Sequence, residues 1–308
     1  MNNKSNKFIG EFALLLVTIF WGGTFVIVKG ALQDTSPMIF IGMRFLLASI
    51  LFIPFIFYKI KTVDSGAIKA GIVLGVLLFL SFSLQTIGLQ FTSATKSGFL
   101  TGTLVVLIPF FQIFIKKKIP SRGAFIGTAF VFIGIFILSG SGKSIFELLN
   151  ELGSNFNLGD ILTLICALLF AVHVVYLDVY TNKYNFWFLV FAQLFITAIL
   201  SFISAFLLNA YQVETYKFEL TNNLIFAIVY TAVFATLINT ILQTKYQKMV
   251  SPTKAGIVYS FEPIFAAIFA FIVLNERLTL LGLIGCILIF IGLIVAEIYD
   301  NLVTKNGK

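Results

Sequence analysis

The chain matches itself at a fixed offset, and this self-similarity restricts its architecture more than any other feature. Ser93, Thr95, Lys96 and Gly98 recur as Ser251, Thr253, Lys254 and Gly256, each 158 residues later. Gln85 falls on Gln243, Gly127 on Gly285 and Gly134 on Gly292 at the same offset, so the match runs through three apolar segments. Upstream, an offset of 149 places Gly10-Glu11 on Gly159-Asp160, Trp21 on Phe170, Thr24 on His173 and Arg44 on Gln193. The second copy therefore carries about nine additional residues, in the polar stretch 209–223. Two copies of one unit define an architecture before they define a function.

The unit is made for lipid. Hydrophobic residues are 59% of the chain and charged residues 11%, and the mean hydropathy is +1.03. That is more apolar surface than a soluble core of this length can bury, so a lipid bilayer is the expected partner. Runs of about 20 apolar residues, enough to cross a bilayer core of roughly 30 Å, occur ten times. They are residues 10–30, 36–58, 67–91, 94–115, 121–139, 158–180, 186–209, 220–244, 252–274 and 279–298, numbered here as runs 1 to 10. None alternates with period two, and their Phe, Leu and Ile suit helices that satisfy their own backbone. Run 1 follows Lys4 and Lys7 in the manner of a signal segment, but its length and its counterpart in the second copy make it a spanning helix. The expected fold class is an all-α polytopic membrane protein. Its ten transmembrane helices form two five-helix repeats, 1–140 and 158–308, joined by an external loop at 141–157.

Five is odd, so the second repeat enters the membrane in the opposite orientation to the first. Such inverted repeats place a substrate site at their interface near the midplane, and their two mirrored states give alternating access. The positive-inside rule orients the whole. With the N-terminus in the cytoplasm, 14 of the 21 basic residues lie on that side, and only Lys143, Lys217 and Arg277 lie in opposite loops. Both termini are then cytoplasmic, in a cell (inner) membrane. This asymmetry accounts for the net charge of +8, and no nucleic-acid partner is needed to explain it.

A family resemblance rests on particular residues. The stretches 92–111 (TSATKSGFLTGTLVVLIPFF) and 250–266 (VSPTKAGIVYSFEPIFA) resemble the paired fourth and ninth helices of the EamA family of the drug/metabolite transporter superfamily. Trp21-Gly22-Gly23-Thr24-Phe25, Met43-Arg44-Phe45, Gly159-Asp160 and Asn275-Glu276 resemble the same pattern. The resemblance implies secondary transport of a small molecule, with an amino acid or related metabolite as favoured substrate and export as favoured direction. It also implies that runs 1, 3, 4, 6, 8 and 9 surround a central cavity while runs 5 and 10 support it from outside.

Helical spacing and charge select the candidate pathway residues. Ser81, Gln85, Gly88 and Thr92 form one polar stripe on run 3, answered by Asn239 and Gln243 on run 8; such groups either line a pathway or tie helices together. A charge at the bilayer centre costs at least about 2.5–3.5 kcal/mol, which singles out Arg44, Lys96, Lys254 and Glu262. Arg44 is expected to meet an acid or an anionic substrate group. Lys96 and Lys254, near the starts of runs 4 and 9, either snorkel to their interfaces or guard two entrances. Glu262 is the acid deepest in an apolar run, and burial favours its neutral form unless a cation pairs with it; it is the candidate carrier of a coupling proton. Pro263 beside it, and Pro109 in run 4, are expected to kink their helices on similar faces. His173 is the only histidine and serves either substrate hydrogen bonding or packing. Trp21, Phe99 and Tyr259 are the aromatic candidates, and Thr24 and Thr103 complete the set.

Other chemistries lack their parts. No phosphate loop, metal-ligand spacing or ATP-hydrolysing domain is present, so no cofactor is expected. Cys166 and Cys286 lie inside runs and imply no disulfide framework. Gly123 with Gly127, and Gly282 with Gly285, permit close helix approach in runs 5 and 10, as scaffold or as the surface of a homodimer; a monomer is equally compatible. Three alternatives stay open: an organic-anion or sugar-phosphate exchanger using the lysines and Arg44, an intramembrane enzyme using Glu262 and His173, and a passive channel.

Overall fold

The computed structural model describes residues 3–59, 63–92, 94–139, 157–274 and 280–306, nearly all of them helical. Among these residues seven helices are long and apolar enough to cross a membrane: Lys7–Ala31, Pro37–Tyr58, Ser65–Phe91, Lys96–Lys116, Leu158–Thr181, Phe186–Ala210 and Asn222–Met249. Arg122–Ile137 and Leu280–Ala296 are shorter apolar helices, and run 9 is divided into Pro252–Tyr259 and Glu262–Leu274. The chain is therefore an all-α, multi-pass membrane protein. The connecting segment at 141–157 lies, apart from Asn157, outside the described residues, as does the Asn275-Glu276 motif.

Short polar residues start the helices by accepting from otherwise unpaired amides. Asp64 accepts from Ala67 N at 2.7 Å, Thr221 from Leu224 N at 3.1 Å and Ser251 from Lys254 N at 3.3 Å. Asn157 and Asp160 form a reciprocal capping box at the start of Leu158–Thr181, which satisfies two such amides at once. Asn185 caps Phe186–Ala210 by accepting from Trp187 N.

Four of the runs are interrupted. Run 1 breaks at Gly23 and run 4 at Thr103, run 9 breaks at Ser260 and Phe261, and run 8 passes through a π-helical stretch, Thr231–Ile238. Thr103 and Phe261 are repeat equivalents, 158 residues apart. At both, the backbone tightens into i→i+3 bonds, Val106 N to Thr103 O and Phe261 N to Val258 O. Pro263 accounts directly for the break in run 9, because its ring crowds the Tyr259 carbonyl one turn earlier. Pro109 stays inside Leu104–Lys116, so the break in run 4 precedes its proline by more than one turn.

The helices pack as a set that is unchanged when the two halves are exchanged. Run 3 packs on runs 6 and 7, and run 8 on runs 1 and 2; run 4 packs on run 6, and run 9 on run 1. Runs 2 and 7, 4 and 9, and 5 and 10 pack on their own equivalents. In each of these last pairs the helices run antiparallel. Gly42 meets Phe202 while Phe52 stacks on Trp187; Ile108 meets Gly256 while Gln112 holds Thr253; Gly127 meets Gly292 while Gly134 meets Gly285. The glycines of the last pair are required by proximity: a Cβ on Gly127 would lie 2.5 Å from Gly292 O, and one on Gly134 would lie 2.8 Å from Gly285 O.

The additional residues of the second copy fold over the turn between runs 1 and 2. Ser36 N donates to Lys217 O at 2.9 Å, Glu219 N to Asp34 O at 2.8 Å, and Thr221 Oγ1 to Asp34 Oδ2 at 2.6 Å.

Candidate functional site

A cavity of about 450 Å³, counting the space at its mouth, lies among the interrupted helices. Its wall comprises Trp21 and Thr24 of run 1, Phe82 and Gln85 of run 3, Thr101 and Leu104 of run 4, and Phe170 and Val174 of run 6, with Gln243 of run 8 and Tyr259 and Glu262 of run 9. Eight of these eleven residues fall into four repeat-related pairs: Trp21 with Phe170, Gln85 with Gln243, Thr101 with Tyr259, and Leu104 with Glu262.

Gln85 Nε2 donates to Thr101 Oγ1 at 3.1 Å, and the equivalent residues Gln243 and Tyr259 line the same cavity. Tyr259 OH donates to Gln247 Oε1 at 2.9 Å, and Gln247 Nε2 to Val174 O at 2.6 Å, which links runs 6, 8 and 9 at one end of the cavity. The Trp21 ring lies 5.7 Å from that of Tyr259, and Phe82 meets Phe170 edge to face at 5.3 Å. Glu262 opens the second half of run 9. Among the described residues its carboxyl group has no ion pair or hydrogen bond.

The π-helical stretch of run 8 supports this wall from behind. A widened turn frees carbonyls from the helix ladder, and here Ala235 O accepts from both Trp21 Nε1 at 3.0 Å and Arg44 Nη2 at 3.3 Å. Arg44 is buried, donates through Nε to Thr236 Oγ1, and lies over the Phe82 ring at 4.7 Å. The expected carboxylate partner is thus replaced, among the described residues, by a hydroxyl, a carbonyl and an aromatic face. Arg44 is one layer behind the cavity wall.

Other candidates from the sequence lie elsewhere. Lys96 is not among the residues that line this cavity: its Nζ is 2.6 Å from Asp160 Oδ2. Asp160 also accepts from Thr92 Oγ1 at 2.7 Å and Asn157 N at 2.9 Å. At the other end of the same two helices Lys116 pairs with Asp178. Runs 4 and 6 are therefore parallel neighbours fastened at both ends. Lys254, the repeat mate of Lys96, is buried and lines a separate, open cavity of about 910 Å³ with Lys7, Lys116 and Lys118. His173 Nε2 is 2.7 Å from Gln193 Oε1, facing run 7, and its Nδ1 has no partner among the described residues. Asn239 is buried and donates to Val17 O at 3.1 Å, joining run 8 to run 1. Phe99 packs with Phe136 of run 5. Thr103 donates to Leu100 O at 2.6 Å, within the break of run 4.

Thr101, Leu104 and Phe170 were absent from the sequence candidates, although the repeat points to them as the mates of Tyr259, Glu262 and Trp21. Phe82 and Val174 carried no such signal. No cluster of His, Cys, Asp and Glu suited to a metal occurs among the described residues.

The model of the EamA-like transporter family matches residues 8–140 and again 157–297. An uncharacterized transporter of Archaeoglobus fulgidus is 34% identical over 292 residues, covering 95% of this chain and 87% of that protein. The uncharacterized transporter YoaV of Bacillus subtilis is 21% identical over 291 residues, covering 91% and 94%. A protein crystal structure matches with a TM-score of 0.74, covering 98% of this chain and 99% of its own, at 16% identity, a likeness of fold alone. By the double family match and the archaeal relative, the chain belongs to the EamA-like transporter family and is a membrane transporter.

Proposed function

We propose that the protein is a ten-span secondary transporter of a cell (inner) membrane. Its two inverted five-helix repeats, residues 1–140 and 158–308 joined by an external loop, alternate the access of a central site. The substrate is a small organic metabolite, an amino acid or related compound by family resemblance, moved outward. Both termini are cytoplasmic. Glu262 carries a coupling proton, and the working unit is a monomer or a homodimer.

The observation that carries this reading is the pairing of the cavity wall. A site lined by repeat-equivalent residues from both halves sits where exchange of the halves swaps its two faces, as alternating access between inverted repeats requires. The antiparallel contact of three equivalent helix pairs supports the inversion, because an axis in the membrane plane reverses each helix onto its mate. The parallel pairing of runs 4 and 6 supports run 5 as a crossing, since the chain must return to the side on which run 4 began. The breaks in runs 4 and 9 beside the cavity fit the discontinuous helices that build midplane sites.

The anion-exchange alternative needs Lys96, Lys254 and Arg44 to converge, and they occupy three separate environments. The enzymatic alternative needs His173 beside Glu262, and His173 instead faces Gln193. The test is counterflow in proteoliposomes loaded with amino acids, nucleosides and organic anions. Accumulation of a labelled amino acid supports the reading, and exchange of phosphorylated or carboxylic anions alone refutes it. Proton coupling is tested separately: Glu262→Gln that keeps full uptake driven by a pH gradient removes that part of the proposal.

A further inference from the structure

We infer that the central cavity recognises its substrate by an ammonium group, held by the Glu262 carboxylate together with the rings of Trp21 and Tyr259. The substrate class is then a primary amine with an apolar or aromatic body, and amino acids enter by their amino end. The inference rests on the transporter reading for the role of the cavity, and adds what that reading leaves open, which end of the solute is anchored.

The wall has one formally ionisable carboxyl group and no lysine, arginine or histidine. That carboxyl is without an ion pair or hydrogen bond among the described residues, although it borders a cavity in an apolar surrounding. A carboxylate so placed lacks a counter-ion, and an entering ammonium supplies one. The aromatic rings agree, since the negative face of an indole or phenol ring attracts a cation, and the two rings, 5.7 Å apart and inclined at 53°, line the same cavity as Glu262. An entering carboxylate meets the reverse: like charge at Glu262, with only the amides of Gln85 and Gln243 and the hydroxyls of Thr24 and Thr101 to solvate it. The intramembrane cations lie elsewhere, Lys96 with Asp160, Arg44 with Thr236 and Ala235 behind Phe82, and Lys254 at a separate cavity. The rest of the wall, Phe82, Leu104, Phe170 and Val174, offers dispersion contacts to an apolar body.

Three probes of one shape separate the ends: phenethylamine, phenylalanine and 3-phenylpropionate. Trp21 becomes the only tryptophan in a Trp187→Phe chain, so its fluorescence reports binding in detergent, and counterflow in proteoliposomes reports transport. Saturable quenching by the amine and the amino acid, with the acid at least tenfold weaker, is the expected result. Glu262→Gln should weaken the amine at least tenfold while leaving its melting temperature close to the parent's. Acid binding as tight as amine binding, or no binding by any probe, overturns the inference. Equal counterflow of the acid would leave the transporter reading intact while sinking this one. Tight amine binding without counterflow of any probe would do the opposite.

Discussion

Removing the ammonium of Lys96 should destabilise the fold far more than an ordinary lysine substitution. Asp160 is fully buried and Lys96 only 15% exposed at the side chain, so the pair is shielded from solvent screening. Lys96→Met leaves a buried carboxylate with two neutral donors, the Thr92 hydroxyl and the Asn157 amide. Breaking one side of a buried ion pair costs about 3–5 kcal/mol, because the remaining charge is uncompensated. At about 2 °C per kcal/mol for a chain of this size, the melting temperature should fall by about 6–10 °C. Removing both charges, as in Lys96→Met with Asp160→Leu, eliminates the stranded carboxylate and should recover much of the loss, although the capping box goes with it. The assay is thermal unfolding of the purified protein in one detergent, read as a double-mutant cycle. A single mutant within about 1 °C of the parent, or a double mutant whose loss equals the sum of the singles, would refute the reasoning.

Gly127→Ala should cost about 1–3 kcal/mol by overpacking, because the added methyl meets the Gly292 carbonyl rather than a movable side chain; unchanged thermal stability would mean that runs 5 and 10 are less tightly joined than described. Arg44→Lys should lose the Nε bond to Thr236 and the planar stacking on Phe82, lowering stability by about 1.5–3 kcal/mol and transport with it; full activity would show that the π-helical stretch holds its shape unaided. Leu substituted at either Gln85 or Gln243 should reduce substrate affinity by a similar factor, as repeat equivalents facing one cavity; an effect confined to one of them would argue against a shared site.

The repeat made much of the fold legible, because the glycines and polar residues at offset 158 mark helix faces that meet across the two halves. Gln85 and Gln243 could be placed together for that reason, whereas Thr101 and Leu104 carry less conspicuous side chains than their mates Tyr259 and Glu262. Phe99 and Thr103 share a motif with Thr101, which lines the cavity, but Phe99 packs on Phe136 and Thr103 bonds the Leu100 carbonyl, so motif membership does not specify a face. His173 was illegible in another way: its partner Gln193 lies on a different helix, and only tertiary packing pairs them. The π-helical stretch has no residue signature in TAVFATLI, so neither the freed Ala235 carbonyl nor its capture of Arg44 could be read in advance. Asp160 was legible as a helix-start acid, and its ion pair with Lys96 appeared only once runs 4 and 6 were side by side.

Alternating access to the wall between the repeats is the central claim, and cysteine accessibility tests it most directly. In a chain with Cys166 and Cys286 replaced, Thr101→Cys places one thiol on the cavity wall. A membrane-impermeant maleimide is then applied separately to each face of oriented vesicles. Modification from both faces, slowed by transported substrate, is the predicted result. Modification from one face only under every condition, or from neither, would contradict the account.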